Sequence, residues 1–194
     1  MAGELAPERV EPLLSGRFGR PYRHVATCAS TQRLLEADAP EGAVVVAELQ
    51  TEGRGRLGRR WLAPAGSSLL FSLLLRPRVR SDRLPELSLV AGRAVADAIA
   101  ATAELQPTLK HPNDVLLGGR KVCGILAEAT NGRVVVGIGI NVNQTEAELP
   151  VDTVTPATSL RVELGRPLPR APLLVEVLAS LERAYDAWVN DAAA

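Results

Sequence analysis

Aromatic residues are scarce in this chain. Two Trp, two Tyr and two Phe make up 3% of its 194 residues, so the core has to be built from Leu, Val, Ile and Ala, which a hydrophobic fraction of 46% allows. Charge of one sign is also missing: 22 basic residues balance 22 acidic ones. That balance argues against a general nucleic-acid or anionic-membrane binder, whose surface carries a basic excess. Two histidines, His24 and His111, are too few for a histidine-based metal centre. Cys28 and Cys123 form no C-x-x-C pair and read as buried, reduced thiols of a cytosolic protein. No apolar run approaches the roughly 20 residues that span a bilayer. Met1–Pro12 carries Glu4, Glu8 and Glu11 and no apolar segment of a secretory signal. A soluble, cytoplasmic protein of one α+β domain over residues 1–194 is expected, without internal repeats or low-complexity tracts.

Charge, balanced overall, is concentrated in one place. Gly53-Arg54-Gly55-Arg56-Leu57-Gly58-Arg59-Arg60-Trp61 puts four arginines and three glycines into nine residues between two apolar runs. Glycine lets the backbone approach a ligand closely, and arginine offers a planar, permanently charged fork for carboxylate or phosphate oxygens. A mobile anion clamp is the reading that follows. The glycines do not form a dinucleotide-binding fingerprint, because they lead into a tryptophan and a strand rather than a helix. Repeated Arg-Gly tracts of disordered nucleic-acid binders are a weaker alternative, since this stretch is single and flanked by core strands.

Along the rest of the chain, periodicity predicts a short helix over Glu8–Leu14, a strand over Tyr22–Ala26 and a helix capped by Ser30 or Thr31 that runs to about Ala39. A strand over Ala43–Leu49 delivers Gln50 to the basic loop. Leu69–Leu75, apolar on both faces, reads as a central strand. The stripe Leu84, Leu87, Ala91, Val95 and Ala98 predicts a core-covering helix over Asp82–Glu104. Gly118-Gly119 and Asn131-Gly132 predict two tight hairpins. Gly137 and Gly139 share one strand face, which fits either a bulge or tight packing, or a ligand passing close. Residues 150–172, rich in proline, read as a surface connection before a C-terminal helix over 173–189.

Six segments in order then resemble the biotin–protein ligase family, over roughly residues 25 to 160. Gln50–Trp61 is similar to the family's Q-T-x-G-R-G-R-x-G-R-x-W signature. Lys110-His111-Pro112-Asn113-Asp114-Val115 resembles K-W-P-N-D-V, and Gly119–Glu128 resembles G-x-K-x-x-G-I-L-x-E. Ser30-Thr31-Gln32, Gly137–Asn141 and Ala157–Leu160 resemble the S-T-N/Q, G-x-G-x-N and A-T-S-L elements. The resemblance implies a mixed, mostly antiparallel sheet flanked by helices, as in class II aminoacyl-tRNA synthetase-like folds. It also implies a two-step reaction: ATP and Mg2+ activate biotin as biotinyl-5'-AMP, and a lysine of a biotin carboxyl carrier protein domain then takes the biotin.

By that resemblance, Lys121, Arg54 and Arg56 are the catalytic cations. Ser30, Thr31, Gln32, Gln50, Gly55, Gly124, Gly137 and Gly139 join them around biotin. Arg56, Trp61, Lys110, Asn113 and Asn141 fall on the nucleotide side, and Asp114 is a further site member. Magnesium would arrive on the ATP phosphates rather than in a protein metal site. Neither DNA nor membrane binding is implied, and a homodimer is compatible. Two positions depart from the family: His111 replaces a tryptophan, and Ser68 stands where asparagine is frequent. The family's N-terminal helix-turn-helix and C-terminal small β-barrel have no counterpart in these residues. Two rivals therefore stay open, a biotin-binding module with little turnover and a lipoate or octanoate ligase or transferase.

Overall fold

The computed structural model describes residues 3–151 and 153–193. Its strands are β1 (Tyr22–Cys28), β2 (Val44–Gln50), β3 (Ser68–Leu75), β4 (Thr108–Lys110), β5 (Asp114–Leu117), β6 (Arg120–Thr130) and β7 (Arg133–Asn141). They form one seven-stranded sheet in the order β1-β2-β3-β7-β6-β5-β4. β1 and β2 run parallel, joined by a crossover through residues 29–43, and the other pairs are antiparallel. The helices are α1 (Pro7–Val10), α2 (Leu87–Ala103), α3 (Leu160–Leu164) and α4 (Arg170–Ala193).

β3 lies inside the sheet and all its residues are buried, so its sequence shows no polar alternation. Its two faces serve different cores. Leu69, Phe71, Leu73 and Leu75 join the main core, where α2 and α4 pack together over the sheet. Leu74, on the other face, joins Leu35, Ala43, Val45 and Val135 in a smaller cluster under the crossover. Each fully buried leucine contributes about 1.5–3 kcal/mol. Helices thus seal one face, and most of the opposite face is left for a site.

Both expected hairpins are present. Gly118 and Gly119 have φ of 54° and 79°, and Asn131 and Gly132 have 51° and 75°, the left-handed pair that a tight primed turn requires. Between them, the β5–β6 register shifts at Val115/Leu116: Val115 pairs with Cys123 but Leu116 with Lys121. The extra residue lets Val122 and Cys123 both be buried while Lys121 and Gly124 line the cavity on the other side.

Four expectations need correction. The helix from Ser30 or Thr31 to Ala39 is only a 3-10 turn, Thr31–Leu34, and no side chain caps it. The Thr31 hydroxyl is spent instead on tertiary contacts with Gln50 and Ser72. Residues 150–172 are not merely a surface connection. Thr158, Ser159 and Leu160 are fully buried, and Ser159 caps α3 by accepting from the Val162 N–H at 3.1 Å. The C-terminal helix begins at Arg170 rather than 173, with Pro172 in its first turn, and runs to Ala193. Cys123 is buried as expected, but Cys28 is only partly so. Burial pushes both thiols up, and Cys123 far more.

Arg170 explains why α4 starts where it does. Only 5% exposed, it donates to Glu48 Oε2 at 2.7 Å and to the Ser68 carbonyl at 3.1 Å, and its Nε donates to Glu4 Oε2 at 3.1 Å. The helix is thereby tied to β2, β3 and the N-terminal segment. Burial opposes ionisation of Glu48, but Arg170, with help from His24, holds its carboxyl below the ordinary value.

Candidate active site

Two rows of residues cross the open face of the sheet. Ala47, Leu70, Gly139 and Gly124 lie side by side, and Val45, Ser72, Gly137 and Leu126 form the next row. Three of those eight positions are glycine, so the sheet surface sinks into a trough. Above it lies a cavity of about 810 Å³, with the basic loop and the Lys110–Asp114 segment in its walls.

The trough is occupied by side chains of the protein itself. A Cβ at Gly139 would come within 2.6 Å of the Trp61 indole, and one at Gly124 within 2.7 Å. At Gly137 it would meet Gln32 at 3.0 Å, whose amide donates to the Leu126 carbonyl at 3.1 Å. Of the readings these glycines allowed, tight packing is the one the structure shows, with the Trp61 and Gln32 side chains as the approaching groups rather than a backbone or a ligand. The Trp61 Nε1–H is buried with no acceptor.

At one end, Thr31 organises the polar groups. Its N–H donates to Gln50 Oε1 at 2.7 Å, its hydroxyl does so at 3.1 Å, and the Ser72 hydroxyl lies 2.7 Å from Thr31 Oγ1. The carbonyl end of Gln50 is thus consumed, which leaves its amino group as the polar end available to a ligand. Ser72 was not foreseen as part of the site. Its signal was a hydroxyl inside an otherwise apolar strand, where a lone polar group needs a partner.

The basic loop is a small hairpin rather than an irregular coil. Gly55 N–H donates to the Arg59 carbonyl at 2.8 Å and Trp61 N–H to the Gly53 carbonyl at 2.9 Å, around a tip in which Leu57 and Gly58 have positive φ. Arg56 donates to Asn113 Oδ1 at 3.3 Å, and Asn113 donates in turn to the Ile125 carbonyl at 2.9 Å. Arg54 behaves differently. Both arms of its guanidinium meet Glu128, at 2.8 and 2.7 Å.

Lys121 stands at the far end. Its backbone is bracketed by Pro156 and Thr158, its Nζ lies 2.7 Å from Asp114 Oδ1, and it sits 5.6 Å from the centroid of Trp61. That oxygen receives no well-aligned hydrogen bond, so the contact is one of charge. Lys110 donates to Thr155 Oγ1 at 2.7 Å, and exposed His111 lines the same wall. Arg54, Arg56, Arg59, Arg60, Lys110 and Lys121 surround the cavity against the single carboxylate of Asp114 among its described lining residues. A chain with no net charge thus gathers cations around this concavity, which suits it to holding two anions together.

Ser30, Thr31, Gln32, Gln50, Arg54, Gly55, Arg56, Trp61, Lys110, Asn113, Lys121, Gly124, Gly137, Gly139 and Asn141 all line this one cavity. Asn141 has little left to offer a nucleotide: its Nδ2 donates to the Thr158 carbonyl at 3.0 Å, and its Oδ1 accepts from Gln144 at 2.9 Å. It braces β7 against the buried 158–160 segment. Ser68 lies at the same end, accepting from Gln144 Nε2 at 2.6 Å.

Residues 25–144 match the signature of the Biotin/lipoate A/B protein ligase family. The chain belongs to that family. Among its relatives, a biotin--[acetyl-CoA-carboxylase] ligase of Mycobacterium tuberculosis is 41% identical over 186 residues, an alignment covering 91% of this chain and 68% of the relative. The bifunctional ligase/repressor BirA of Bacillus spizizenii is 40% identical over 165 residues, 82% of this chain and 51% of the relative. The chain therefore spans about half the length of the Bacillus proteins it matches. Among solved structures, the biotin protein ligase from Aquifex aeolicus in complex with biotin and ATP superposes with a TM-score of 0.78 at 37% identity, covering 87% of this chain and 72% of that one. Among the described residues, no helix is long and apolar enough to cross a membrane.

Proposed function

We propose that this chain carries the catalytic site of an ATP-dependent biotin–protein ligase. The carrying observation is the convergence of the basic hairpin, Lys121 and the Thr31–Gln50 end on one glycine-floored cavity. In the first step, a biotin carboxylate oxygen attacks the α-phosphorus of ATP and pyrophosphate leaves. In the second, the amine of a lysine on a biotin carboxyl carrier domain attacks the acyl carbon, and AMP leaves with the bonding pair. Both steps bring anions together, so positioned cations are the main catalytic resource.

Lys121 is the cation at the carboxylate and α-phosphate, oriented by Asp114. Arg56 reaches the phosphate from the hairpin and is oriented by Asn113. Ser30, Gln32 and Gln50 bond the polar head of biotin, with Thr31 holding Gln50 in place, while Gly124, Gly137 and Gly139 let Trp61 and Gln32 sink into the sheet as walls of the biotin site and Gly55 lets the hairpin bend over it. Trp61 supplies an apolar wall and a free N–H, and Lys110 serves the nucleotide. Closing the hairpin excludes water from the reactive anhydride. Magnesium would arrive on the ATP phosphates in this reading, since the cavity's described carboxylate, Asp114, is committed to Lys121. Biotin rather than lipoate is supported by relatives at about 40% identity that carry biotin-ligase names.

Incubation with biotin, MgATP and a carrier domain tests the proposal. Intact mass should show one biotinyl group on the carrier lysine. A carrier left unmodified, or one modified only when lipoate replaces biotin in the incubation, overturns it.

A further inference from the structure

The bidentate pair of Arg54 with Glu128 is not needed for any step above, and it consumes both arms of an arginine expected to hold ligand. Glu128 lies on β6, two residues beyond Leu126 of the trough, opposite Val135 on β7. Arg54 lies on the first arm of the hairpin, bridged to Arg60 on the second. The pair therefore joins the hairpin to the sheet, at 2.7 and 2.8 Å. The outer side of the hairpin faces a second cavity of about 540 Å³, where Arg33, Arg54, Arg56, Arg59 and Arg60 meet two carboxylates, Glu52 and Glu128. Glu52 is taken by Arg33 at 2.6 Å, a contact at the hairpin's base. Glu128 is thus the carboxylate of this cavity that grips the hairpin from the sheet.

We propose that Glu128 is a positioning residue that latches the hairpin over the cavity through Arg54. The consequence is a division of labour between two arginines with the same sequence surroundings: Arg54 anchors, and Arg56 is left to face the anion. Latch and anchor are both about two-fifths exposed, so the pair biases the open–closed balance of the hairpin without freezing it. A pair of this kind shifts a local equilibrium by about 2- to 5-fold. The proposal rests on the ligase reading only for its effect on the intermediate, because the latch itself is a property of the fold.

Limited trypsin digestion, followed site by site by mass spectrometry, reads the latch without any substrate. Cleavage after Arg56, Arg59 and Arg60 should quicken by about 2- to 5-fold in Glu128→Gln, with other sites unchanged. In an Arg54→Ala background the same substitution should add nothing. Unchanged hairpin cleavage, faster cleavage at every site, or additive effects of the two substitutions would each overturn the latch. The second arm measures escape of adenylated biotin into solution relative to its transfer to the carrier, which should rise in Glu128→Gln. A wild-type protein that makes no adenylate refutes the ligase reading while the digestion result still decides the latch. Faster hairpin cleavage without greater escape in an active enzyme overturns the positioning role.

Discussion

Lys121 has two neighbours that hold its ammonium in place, a carboxylate at 2.7 Å and an indole face at 5.6 Å. Removing a preorganised cation of this kind costs about 10²–10³ in turnover. Lys121→Ala should therefore abolish measurable biotin-dependent pyrophosphate exchange while circular dichroism stays native, and exchange at wild-type rate would refute its role. Arg56→Ala should weaken retention of the adenylate more than binding of biotin, as calorimetry with each ligand would show; equal losses would point to a general folding role. Gly139→Ala places a methyl carbon 2.6 Å from Trp61, so the indole must leave the trough. Its fluorescence should shift to the red as water reaches it, and biotin affinity should fall. An unchanged spectrum would mean that the trough is wider than the structure shows.

Among the elements, α4 owes its placement to Arg170 and the two carboxylates it serves. Truncation to alanine leaves Glu4 and Glu48 without their partner in a largely buried site, and breaking such a pair costs about 3–5 kcal/mol, measurable by urea unfolding. The pH sign follows from Glu48. Its carboxyl in the folded state lies below the ordinary 4.5, so its contribution is full above that pH and is lost as pH falls through the folded value. Stability should decline in acid, and Glu48→Gln should flatten that decline. The two hairpins and β3 were legible in sequence because their causes are local: Gly-Gly and Asn-Gly accept positive φ, and an unbroken apolar run fits a strand covered on both sides. The Thr31 helix was misread because its hydroxyl serves partners 19 and 41 residues away, and no window around Thr31 contains them. The burial of residues 158–160 was missed for the same reason, since it depends on the bulged strand that carries Lys121.

For the molecule as a whole, the architecture separates stability from chemistry. Helices α2 and α4 and the main core occupy one face of the sheet, and the cationic cavity occupies the other. Composition pointed to a neutral surface, and only the clustering of arginines near residue 55 signalled that the charge was gathered. The motifs marked the lining, whereas the pairing within it needed three dimensions: Arg54 with Glu128, Asn141 with Thr158 and Gln144, Thr31 with Ser72. The claim that this cavity activates biotin is tested most directly by exchange of labelled pyrophosphate into ATP, catalysed by this chain alone. Exchange should require biotin, fail with lipoate or octanoate, and disappear in Lys121→Ala. Biotin binding without exchange, or exchange that lipoate supports and biotin does not, would contradict it.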